Sequence, residues 1–237
     1  MDDTPPEILA LPSGPTPVSW RRSPRARRIS LRVDPSDGIV VVTLPMKASR
    51  SAGLTLLKSH ADWVADRLAA LPRAVPFVDG ATIPIAGQPH VIRHAPDARG
   101  GAWLDGSTLI VAGAPAFLPR RVTDFLRAEA KRRIGALVMV KATAIEAKVS
   151  RITIKDTTSR WGSCAPDGAL AFSWRLVMAP DYVQDYVAAH EVAHLRHMNH
   201  GPRFWDLVAH LTSHKARSMV WLNQEGPALL RIGQDAG

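Results

Sequence analysis

Between residues 18 and 44 apolar and polar positions alternate along much of the chain. Val18 and Trp20 open the pattern, Ile29, Leu31 and Val33 continue it, and Val40, Val42 and Leu44 follow a Ser36-Asp37-Gly38 turn signal. Two-residue periodicity with β-branched side chains predicts a hairpin over about 18–44. From 49 to 71 the period changes. Leu54, Leu57, Trp63, Val64 and Leu68 fall on or near one helical face, and Pro72 ends the run. Residues 76–113 carry short apolar runs between Gly and Pro, which predict three short strands of a small antiparallel sheet. Residues 115–147 read as one long helix or two consecutive ones, with Arg127, Lys131, Arg132 and Lys141 on the exposed face. A strand over 150–156 follows, then a loop, then a second strand-like run from Ala169. Pro180 and Asp181 start a helix that the periodicity carries to Met198, before Gly201-Pro202. A shorter helix begins at Arg203.

The resulting class is α+β. A proline-rich tail (1–16) is expected to be flexible. A sheet-rich part (17–113) precedes a mostly helical part (114–232). No internal repeat is visible.

Charge enlarges the set of possible partners. Thirty basic residues face 21 acidic ones, a formal net charge of +9. That balance attracts nucleotides, nucleic acid or other polyanions without selecting one. Arg21, Arg22, Arg25, Arg27 and Arg28 cluster on the first arm of the expected hairpin. They are either a phosphate-binding stripe or a charged edge that discourages pairing. The single cysteine, Cys164, excludes an internal disulfide and a finger-type cysteine site. No apolar run is long enough for a membrane span, and the N-terminus lacks the core of a signal peptide. The simplest expectation is a cytoplasmic protein.

The candidate chemistry lies in His190-Glu191-Val192-Ala193-His194. On a helix, residues four apart share a face, so both imidazoles can reach one cation. Glu191, beside the first, can take a proton from water. A catalytic zinc site needs a third protein ligand and an open position. His197 would lie about 10.5 Å beyond His190 along an unbroken helix, out of reach of a shared ion. His200, beside Gly201-Pro202, can swing back through a turn and is favoured, with a downstream carboxylate as the remaining alternative. Arg160 and Ser163 sit in a tight cluster before the strand-like run and can wall the site or stabilise an oxyanion. Phe204 and Trp205 read as core residues of the last helix, and Asp185 or Asp206 can orient an imidazole.

The segment from Ser159 to Leu207 (SRWGSC, SWRL, then HEVAHLRHMNHGPRFWDL) resembles the YgjP-like metallopeptidases, as does the general order of elements over about 17–225. HGPRF is similar to the corresponding segment of SprT and Spartan-type proteases. The resemblance implies one zinc ion on His190, His194 and His200, with Glu191 catalytic, in a zincin-like region holding an active-site helix and an edge strand at 169–174 that could pair with a peptide. Ser173 stands where the resembling proteins more often have Asn, so it enters as a possible substrate contact. Peptide hydrolysis is the implied activity. UTP pyrophosphatase activity, also attributed to YgjP-like proteins, and a nucleic-acid-associated SprT-like protease are the alternatives. No carboxylate cluster of the kind that holds magnesium is visible, which weighs against the former.

Overall fold

The structure, a computed structural model, describes residues 5–234. The chain divides into two compact units, Met1–Arg73 and Ala74–Gly237. The division falls after Pro72, where the first helical run ends.

In the first unit, strands β1 (Glu7–Leu11), β2 (Gly14–Ser23), β3 (Ser30–Asp34) and β4 (Ile39–Pro45) form one sheet in the order β1-β2-β4-β3. The expected tail is therefore a strand from Glu7 onward. β1 itself holds no proline and meets β2 antiparallel; Pro15 and Pro17 of β2 precede Val18, where its pairing with β4 begins, so they lie where β2 has a strand on one side only; residues 1–4 lie outside the described residues. The expected hairpin is shorter than predicted. β3 and β4 form it, antiparallel, around the Ser36-Asp37-Gly38 turn, where Gly38 takes φ 68°. β2 instead lies parallel to β4, so its chain crosses over through residues 24–29 before returning. Alternating exposure along β4 buries Val40, Val42 and Leu44. Helices α1 (Arg50–Ser59) and α2 (Ala61–Ala69) add Leu57, Ala61 and Val64 to the same core. The single helix expected over 49–71 is broken at His60.

The second unit opens with β5 (Thr82–Ile85), β6 (Gln88–Ala95), β7 (Ala102–Asp105) and β8 (Thr108–Ala112), in the order β5-β6-β8-β7. This sheet is mixed, not antiparallel: β6 and β8 are parallel, and β7 is a fourth strand. Strand order and pairing senses are those of the first unit, so a topology recurs that no repeated residue pattern announces. Helix α3 (Leu118–Ala144) is one continuous element. Leu118, Val122, Leu126, Ala130, Ile134, Val138 and Ala142 recur every fourth residue and are all buried, a stripe wide enough to seat the helix on the core. Burying each of the larger ones stabilises by about 1.5–3 kcal/mol.

Strands β9 (Arg151–Lys155), β10 (Gly162–Cys164) and β11 (Ala169–Ser173) make a three-stranded sheet in the order β10-β11-β9. β11 is therefore central and not the edge expected at 169–174. The loop that contains β10 folds back and covers it. Four helices follow: α4 (Asp181–Ala193), α5 (Pro202–Leu211), α6 (Lys215–Gln224) and α7 (Gly226–Leu230). Two buried cations tie this part together. Arg175 donates to the Leu229 and Ile232 carbonyls and lies over Trp174. Lys141 of α3 donates to Asp185 of α4 at 2.6 Å and to the Leu211 carbonyl at 2.9 Å. No helix among the described residues is long and apolar enough to cross a membrane.

Candidate metal centre

Helix α4 meets α3 on the side of Asp181 and Asp185, which pair with Arg133 and Lys141, and Ala188 and Val192 on that side are buried. Its other face carries His190, Glu191 and, at the C-cap, His194. The helix stops at Ala193, five residues before the Met198 predicted from periodicity. Leu195 and Arg196 make tight three-residue backbone bonds to Val192 and Ala193. Arg196 also donates to the Ile145 and Glu146 carbonyls beyond the end of α3. This tertiary anchor, absent from any local pattern, turns the chain early and returns it through His200 to Gly201, the N-cap of α5.

His190, His194 and His200 converge. One nitrogen from each lies within 4.8 Å of the others, and His190 Nε2 and His200 Nε2 are 3.2 Å apart. Two ligands of a tetrahedral zinc at about 2.0–2.1 Å would be roughly 3.3 Å apart, so this pair already has the right edge length. His194 uses Nδ1 on the His197 carbonyl at 3.1 Å, which fixes its tautomer and frees Nε2. His197 thus contributes a backbone oxygen and no imidazole. Asp185 does not orient a ligand: its carboxylate takes Lys141 and the Thr212 hydroxyl. Neither Asp185 nor Asp206 bonds an imidazole among the described residues.

Burial favours the neutral form of two of the donors, His190 and His194. It pushes His190 down to about 4, with the His194, His200 and Lys215 charges acting the same way. Burial also lowers His194, against the opposing effect of the His197 carbonyl. Neutral imidazoles with free lone pairs are the form that binds a metal. The residues present therefore fit a cation.

Phe204, read from sequence as core alone, is both core and floor. It is fully buried, and its ring lies 4.5–5.0 Å from all three imidazoles. Trp205 stacks near His200 at 5.6 Å and carries the Lys215 ammonium 3.6 Å from its ring centre. The signal for this role was the placement of Phe204 and Trp205 four and five residues after His200 in HGPRFW.

Glu191 is 6% exposed. Burial raises its carboxyl to about 7, offset in part by the Arg160 charge. Beside it runs β10. Trp161 and Ala165 spend backbone groups on Ser173 and Ala169 of β11 and its approach. By the alternation of an antiparallel ladder, Gly162 and Cys164 then turn theirs to the free side of β10. The other predicted residues divide. Arg160 is exposed and close enough to act on Glu191; Ser163 is half-buried on β10. Ser173 is fully buried, and its hydroxyl donates to the Thr157 carbonyl. It braces the loop and does not reach the centre.

The arginine run also separates. Arg21 and Arg22 are on β2, whereas Arg25, Arg27 and Arg28 occupy the crossover. The Arg22 guanidinium donates to the carbonyls of Pro45, Met46 and Ala48, so it holds a loop and offers no site for phosphate.

The three converging imidazoles form a group that could hold a metal ion. The profile of the family described as YgjP-like, metallopeptidase domain, matches residues 27–225, and the chain belongs to that family. No curated protein and no solved structure gives a significant match.

Proposed function

We propose that the protein is a zinc-dependent peptidase in which His190, His194 and His200 hold the ion and Glu191 is the general base. The observation that carries this reading is the convergence of three imidazole nitrogens within 4.8 Å beside a carboxyl raised to about 7. When bound, zinc supplies Lewis acidity toward a carbonyl and toward water. The protein's own groups do the rest. Glu191, poised near neutral pH, accepts the proton of the attacking water and returns it to the leaving nitrogen. The outward backbone groups of Gly162 and Cys164 pair with an extended peptide, so β10 takes the part expected of 169–174. Arg160 stabilises negative charge as the carbonyl is attacked. Ser163 lines the same strand.

The arginines of the first unit lend no support to pyrophosphatase action, because they lie on different elements and one is already engaged. The test is digestion of unfolded casein with and without a chelator, alongside Glu191→Gln. Zinc-dependent cleavage lost in a variant that still binds stoichiometric zinc supports the reading. Normal turnover in that variant removes Glu191 as the base.

A further inference from the structure

The first unit holds a cavity of about 370 Å³ that the metal centre does not explain. That volume lies in the roughly 300–1,000 Å³ range of ligand-binding clefts. One wall is a strand and its approach, through Arg28, Ile29 and Leu31. The other is helical, through Leu56, His60 and Trp63. The strand is β3, the last in its sheet, and among the described residues no strand pairs with its outer side. Trp63 is 40% exposed, although its neighbour Val64 is fully buried. The groove is thus an apolar slot between a helix and an open sheet edge. A segment added to such an edge satisfies its own backbone on the strand and sends alternate side chains toward the helix.

Charge sets the kind of segment. Arg25, Arg27 and Arg28 are exposed on the crossover that leads into β3. Among the described residues none of the three makes a hydrogen bond or ion pair, whereas Arg22 and Arg32 are engaged by backbone carbonyls and by Asp34. On the helical wall the charges are mixed: Asp62 and Asp66 are exposed on α2, with Arg67 over the Trp63 ring and Lys58 at the end of α1, so the excess of positive charge falls at the crossover end.

We propose that this groove binds an extended peptide as a further strand along β3, with apolar side chains at alternate positions and acidic residues at its Arg25–Arg28 end. A single-stranded nucleic acid fits less well. It would find one aromatic face and no use for an unpaired strand edge. The proposal does not depend on the peptidase reading, since it concerns other residues and a binding measurement.

The test is fluorescence anisotropy of the full-length protein with a fluorescein-labelled peptide, three acidic residues followed by alternating Val and Thr, its mass verified after titration. Saturable binding is expected. It should weaken about tenfold or more in Trp63→Ala, the scale of one lost aromatic anchor, and similarly in Arg27→Glu/Arg28→Glu. N-methylation of every second residue should abolish binding in one parity and spare it in the other, a signature of strand pairing. Absence of binding, equal binding of both N-methylated peptides, equal binding of a lysine-led peptide, or tighter binding of oligothymidine would overturn the proposal. So would self-association that Trp63→Ala removes, because the occupant would then be a second copy.

Discussion

Gly162 of β10 lies directly against the Glu191 carboxylate: a Cβ atom at position 162 would sit 2.6 Å from Glu191 Oε1 and from its Cγ. No side chain fits there without moving the glutamate. Gly162→Ala is therefore expected to swing Glu191 out of place while leaving the three imidazoles as they are. The variant should bind zinc with unchanged stoichiometry and lose about 10²-fold or more in kcat, the range for a displaced general base. Metal analysis with peptidase kinetics checks this. Near-normal kcat would show that the carboxylate has room the packing denies.

His200 and His197 make opposite predictions from similar sequence positions. His200 presents Nε2 to His190, whereas His197 presents only its backbone carbonyl to His194. His200→Ala should abolish stoichiometric zinc at micromolar metal. His197→Ala keeps that carbonyl and should retain full zinc occupancy. Isothermal titration with zinc separates them, and retention of the ion by His200→Ala would remove it from the ligand set.

What could be read in advance follows from the range of the interactions. His190 and His194 are joined by helical spacing, and His200 follows from a chain break, so local chemistry was enough to name the trio. The early end of α4 was hidden because it depends on Arg196 reaching carbonyls about fifty residues away. The same holds for β11, whose central place depends on β10, a three-residue strand inside a loop that carries no alternation. Ser173 was misplaced for that reason: once β10 covers β11, its hydroxyl faces Thr157. The parallel pairings of β2 with β4 and β6 with β8 were invisible because strand periodicity is the same for either direction.

Lys141 and Asp185 join α3 to the helix that carries the proposed metal ligands, with the Lys141 side chain 8% exposed and the Asp185 side chain 24% exposed. Thr212 adds its hydroxyl to the other carboxylate oxygen at 2.5 Å. Removing one member of a buried pair strands the other charge, which costs about 3–5 kcal/mol. Lys141→Ala should fall in that range, at the lower end because Asp185 keeps some solvent. Lys141→Ala/Asp185→Ala should lose less than the sum of the single variants. Urea unfolding of the four proteins checks the cycle, and simple additivity would show the pair to be uncoupled.

Cys164 offers a spectator of the Glu191 charge. It is half-buried on β10, and burial first, then the Glu191 and Asp167 charges, push its thiol above the usual cysteine value. The thiolate is the reactive form, so alkylation by iodoacetamide should rise with pH along a curve displaced to higher pH than that of a free cysteine. Glu191→Gln removes one of the two negative charges and should move the curve back toward lower pH, with faster alkylation at any fixed pH on its rising limb. Asp167→Asn should do the same to a smaller extent, as the lesser of the two charge effects. Mass-spectrometric rates on chelator-treated protein read this without any turnover. An unchanged curve in Glu191→Gln would mean that the carboxylate is too far from the β10 thiol to be felt, and would count against the placement of Glu191 beside that strand.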